Sequence, residues 1–116
     1  MNVARLKRKD LTAWLPMMDE VEICCRHISQ SQFDAISEAS TKGGKRDEKK
    51  FRSALARAVV VDWRGLEEDG EPFACTPENV DWLMEESTEF RLLVMDAPLS
   101  LNKMLAAEQE AERKNS

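Results

Sequence analysis

The chain has 116 residues, 42% hydrophobic and 34% charged, which is enough for one domain with one modest core and too little for two. Its 17 Lys/Arg against 22 Asp/Glu leave a net charge of -5, which argues against nucleic acid as the main partner, since phosphate binding needs a concentrated basic surface. No apolar run approaches the roughly 18 residues of a membrane span, and an odd cysteine count with an adjacent pair, Cys24, Cys25 and Cys75, speaks against a disulfide-stapled secreted scaffold.

No secretory signal pattern follows the basic start, so the expected location is a cytoplasm. Residues 1–10, with Arg5, Lys7, Arg8 and Lys9, read as a basic arm that buries little. Residues 11–107 read as a single mainly helical domain with a β-hairpin at its start. Within that hairpin, Val21, Ile23 and Cys25 alternate with Glu22, Cys24 and Arg26, and Pro16 to Glu20 form the connection. Ser29 or Ser31 caps a helix carrying Phe33 and Ile36, and Gly43-Gly44 stops it before a charged loop. From about Asp47, Phe51, Leu55, Ala58, Val59 and Asp62 fall at spacings of three or four, which predicts a helix ending near Trp63, with Gly65 taking a positive φ. A loop with an Asp69-Gly70 turn spans Leu66 to Cys75. Thr76-Pro77-Glu78 opens the next helix, with Val80, Leu83 and Met84 inward and Trp82 on another side. A further helix carries Phe90, Leu93, Val94 and Ala97. Pro98 is expected to end it and to open a last helix with Leu101, Met104 and Leu105 as its stripe. From Glu108 to Ser116 the chain is a polar tail with nothing to bury.

Little of this supports chemistry. Cys24-Cys25-Arg26-His27 lacks the second ligand pair of a zinc site, and Cys25 with His27 has no orienting third group for nucleophilic catalysis. Gly43-Gly44-Lys45 lacks the spacing of a phosphate loop. The expectation is therefore a protein without catalytic residues, metal or cofactor. The charge is uneven along the chain: residues 1–57 hold 12 Lys/Arg against 8 Asp/Glu, a net +4, and residues 58–116 hold 5 against 14, a net -9. Complementary halves favour a head-to-tail homo-oligomer. Of three tryptophans, Trp82 lies off the apolar face of its helix and is a candidate interface residue.

The stretch Val61-Asp62-Trp63-Arg64-Gly65-Leu66-Glu67-Glu68-Asp69-Gly70-Glu71-Pro72-Phe73, followed by Thr76-Pro77-Glu78-Asn79-Val80, resembles tail assembly chaperones of long-tailed bacteriophages. Those proteins end a helix with Trp-x-Gly, continue through an acidic Asp-Gly turn and a proline, and open a helix with Ser/Thr-Pro-Glu-Asn. The resemblance extends more loosely over residues 48–106. It implies a host-cytoplasmic protein that binds the long helical tape measure protein, and works beside the tail tube protein, keeping the tape measure soluble during tube assembly. The surface implied for that work comprises Leu92, Met95, Leu101, Met104 and Leu105, together with Trp82. The alternative reading is a small helical DNA-associated regulator or antitoxin-like protein using Arg5 to Lys9.

Overall fold

The computed structural model describes residues 11–114. In chain order the elements are β1 (Thr12–Met18), β2 (Val21–Arg26), α1 (Gln30–Ala39), β3 (Thr41–Lys42), β4 (Lys45–Arg46), α2 (Glu48–Val59), β5 (Val60–Arg64), β6 (Glu67–Glu68), β7 (Glu71–Pro72), α3 (Pro77–Glu86) and α4 (Thr88–Lys114). The basic arm, residues 1–10, lies outside the described residues, as do residues 115–116.

The fold is mixed α/β, which corrects the expectation of a mainly helical protein with one hairpin. β1 and β2 form the expected antiparallel hairpin, with β1 running on through Pro16 to Met18 where the connection was expected, but β5 joins β2 on its other side, giving a three-stranded sheet ordered β1-β2-β5. The helix expected to reach Trp63 stops at Val59. Val59-Val60-Val61 is β-branched, and once Val60 turns extended, Trp63 falls opposite Ile23 and Arg64 opposite Glu22. A helix continued through Trp63 would forgo that pairing and leave the other edge of β2 open. Two further hairpins, β3–β4 and β6–β7, stand where charged loops were expected. Each turns on two residues with positive φ, Gly43-Gly44 and Asp69-Gly70, the conformation that matches the twist of two antiparallel strands.

The helix starts follow the side-chain chemistry. Ser29 and Gln32 form a reciprocal capping box, and the Asp47 carboxylate accepts from the Lys50 amide at 3.2 Å. The Thr76 hydroxyl accepts from the Asn79 amide with Pro77 in the first turn, and the Ser87 hydroxyl accepts from the Phe90 amide.

The core lies between the sheet and the packed helices α2, α3 and α4. Ile23 and Cys25 from β2 meet Phe51, Leu55 and Val59 from α2, Val80 and Met84 from α3, and Phe90, Val94 and Ala97 from α4. Each aliphatic side chain removed from water in this way contributes about 1.5–3 kcal/mol. Trp63 ties sheet to helices: its indole N–H donates to the Phe73 carbonyl at 2.6 Å, its ring stacks on Phe73 at 5.9 Å, and Phe90 meets it edge-on at 5.8 Å. Gly65 has φ +89°, and a Cβ there would sit 2.6 Å from the Glu20 carbonyl oxygen, so only glycine lets the chain leave β5 past the β1–β2 turn.

α4 departs most from expectation. It runs unbroken from Thr88 to Lys114 with Pro98 inside it. Pro98 has no N–H for the Val94 carbonyl, a local loss. The helix is held in phase across that defect because Phe90, Val94, Ala97, Leu101 and Leu105 are all buried along one face.

Candidate protein-binding surface

Because α4 continues through Pro98, its residues keep one register over seven turns. The face opposite the buried stripe carries Leu92, Met95 and Leu99, which are 64%, 39% and 53% exposed. Their spacing of three and then four places them in one row. Asp96 and Lys103 follow along one flank, also exposed. Open clefts border the helix. One is lined by Leu15, Pro16 and Met17 of β1 with Leu92, Leu93 and Asp96; the other by His27, Ile28 and Phe33 with Pro98, Leu99 and Asn102. In the second, the His27 ring nitrogen Nε2 and the Asn102 side-chain oxygen lie 2.8 Å apart, fixing the end of β2 to α4.

Of the residues expected to bind a partner, Leu92 and Met95 lie in this row. Leu101 and Leu105 do not: they are 1% and 5% exposed and belong to the core, because they continue the buried phase of Val94 and Ala97. Met104 is exposed but lies roughly 120° round the helix from Leu92, at a small cleft beside Leu11 to Ala13. Trp82 is 57% exposed on α3, where its ring meets Phe73 edge-on at 6.0 Å as the outer end of the row Phe90, Trp63, Phe73, Trp82. Leu99 was missed in the sequence. Its three-and-four spacing from Leu92 and Met95 was legible, but treating Pro98 as a helix boundary divided the row.

The free edge of β1 is poorly suited to strand addition. The His27 amide donates to the Leu11 carbonyl at 2.8 Å, so in the regular register Ala13↔Cys25 and Leu15↔Ile23 are hydrogen-bonded pairs, and Trp14↔Cys24 and Pro16↔Glu22 are not. Position 16 therefore faces the free edge, and there proline has no N–H to offer. An incoming strand would meet a gap in the middle of β1, a common guard against strand addition. A helix lying along the α4 row needs no such donor.

The thiols are placed for packing. Cys25 is fully buried, and burial, with Cys24 beside it, pushes its pKa up to about 12. Burial also raises Cys75, with Asp62 and Cys24 adding to the effect. His27 is engaged with Asn102 on α4. Among the described residues, no three His, Cys, Asp or Glu side chains are grouped as a metal would require, and no helix is long and apolar enough to cross a membrane.

The molecule is thus a small mixed α/β protein whose longest helix shows an apolar row on its outer side. A family model described as YdaY prophage protein matches residues 16–115, most of the chain and all of its sheet apart from the start of β1. The chain belongs to the YdaY prophage protein family and is phage-derived. No curated protein and no solved structure matches it.

Proposed function

We propose that this prophage protein is a tail assembly chaperone, acting in the host cytoplasm by holding an apolar helix stripe of the tape measure protein against α4 until the tail tube protein encloses it. The observation that carries the reading is the row Leu92, Met95 and Leu99, exposed on one face of a helix whose other face is fully committed to the core. A row of this spacing fits an amphipathic helix laid alongside, and methionine adapts to varied partners. The family membership supplies the phage setting, and the order of elements from Trp63 to Val80 supplies the resemblance. The acidic second half adds charge to the complex and helps keep it dissolved.

The test is co-expression with the tape measure protein encoded by the same prophage, measuring its soluble fraction and its co-purification with this chain. The wild-type chain is expected to raise the soluble fraction, and Leu92→Asp with Leu99→Asp to abolish the gain. If the tape measure protein stays insoluble with the wild-type chain, or if the double variant works equally well, the proposal fails.

A further inference from the structure

The two small hairpins share one backbone and carry opposite charge. In β3–β4, Lys42 lies directly opposite Lys45; in β6–β7, Glu68 lies directly opposite Glu71. Like charges facing across a strand pair repel, so each hairpin holds a pair that destabilises it. Lys49 and Lys50 in the first turn of α2 add positive charge beside the first pair, next to the capping Asp47 and to Glu48, which pairs with Arg46; Glu67 and Asp69 add negative charge in β6–β7. All of these residues are exposed.

Among the described residues, the ion pairs that bridge elements elsewhere use arginine. Arg52 pairs with Glu85, Arg57 with Asp81 and Arg64 with Glu22, while Arg46 pairs with neighbouring Glu48. Among the described residues, neither the four lysines nor the four acids of the β6–β7 hairpin have an ion-pair partner. The hairpins also stand on different connections: β6–β7 follows Gly65, against the β1–β2 turn at Glu20, whereas β3–β4 joins α1 to α2.

We infer that the Lys42/Lys45 hairpin of one copy docks on the Glu68/Glu71 hairpin of the next, so that the chain assembles head to tail. Each like-charge pair is then faced by two opposite charges. Because the two contact surfaces differ, the assembly is heterologous and grows into a ring or a filament. Contacts between exposed charges reach across about 10 Å at 0.1 M salt and about 3 Å at 1 M, so the assembly is salt-sensitive. This inference is independent of the proposed function.

The experiment is sedimentation velocity on the full chain at about 0.01 M and about 1 M salt, across a concentration series. Wild type is expected to assemble at low salt and to be monomeric at high salt. K42E/K45E and E68K/E71K are each expected to weaken assembly about tenfold or more, and an equimolar mixture of the two to restore it. The mixture also guards against misfolding, since two misfolded variants would not regain a salt-sensitive contact; circular dichroism checks each alone. A wild type that stays monomeric at low salt, assembly indifferent to either reversal, or a mixture that remains apart would each overturn the inference.

Discussion

Cys25 and Asp81 show how burial and pairing set the chemistry of single side chains. The Cys25 thiol is 0% exposed and its pKa is pushed up to about 12, so in the folded protein it is neither reachable nor ionised near neutrality. Maleimide at pH 8 is expected to modify Cys75 in the native protein and to reach Cys25 only after denaturation, with mass spectrometry of digests giving the sites. Native labelling of Cys25 would show that β2 opens far more readily than its packing implies. Asp81 bridges α2 and α3, accepting from Arg57 and, at 2.7 Å, from the Ser53 hydroxyl. The Arg57 guanidinium, helped by Ser53, holds its pKa below the ordinary 3.8 against a smaller desolvation effect. A carboxylate with a lowered folded pKa contributes stability that is full above the unfolded value and is lost as pH falls through the folded one. Denaturation at a series of pH values should therefore show wild type losing stability below about pH 4, and Asp81→Asn losing less over that interval. Equal acid slopes in the two proteins would remove Asp81 from the account.

At the scale of elements, α4 is decided by packing over local preference. Interior proline disfavours a helix by about 3 kcal/mol, and the sequence rule therefore expects a break at Pro98. Two buried leucines beyond the proline outweigh that cost, each contributing about 1.5–3 kcal/mol. Leu101→Ala is accordingly expected to destabilise the protein by about 2–5 kcal/mol in urea denaturation, as core truncations do. A cost below about 0.5 kcal/mol, usual for surface positions, would mean that the helix beyond Pro98 does not pack on the core. The elements that were legible in the sequence have local signatures: the alternation of Val21 to Arg26, the Ser29 and Thr76-Pro77 caps, and the core spacing of Phe51 and Leu55. β5 was not legible, because Val59 suits either a helix end or a strand and only its distant pairing with β2 decides. The turns of the two small hairpins were visible as Gly43-Gly44 and Asp69-Gly70, but strands of two residues are too short to show alternation. Two of the three residues of the α4 row were legible, Leu92 and Met95, while Leu99 was hidden by the same proline that misplaced the helix boundary.

At the scale of the whole molecule, the apolar row of α4 and the charged hairpins occupy different elements and rest on different physics. The row gains from removing apolar area from water, which salt does not screen, whereas the hairpins act through exposed charge, which salt screens strongly. Substitutions at distant sites without shared partners act nearly independently. Leu92→Asp with Leu99→Asp is thus expected to remove co-purification with the tape measure protein and leave salt-dependent sedimentation unchanged. K42E/K45E is expected to abolish sedimentation of large species while one-to-one capture persists at about 1 M salt, where only apolar contact remains effective. The four measurements, two variants each read by pull-down and by sedimentation, form a closed test. Should the leucine variant also lose self-assembly, the α4 row would be part of the contact between copies, and the hairpin inference would need that face as well. Should K42E/K45E lose capture at high salt, the basic hairpin would belong to the partner-binding surface, and the assignment of that surface to α4 alone would fall.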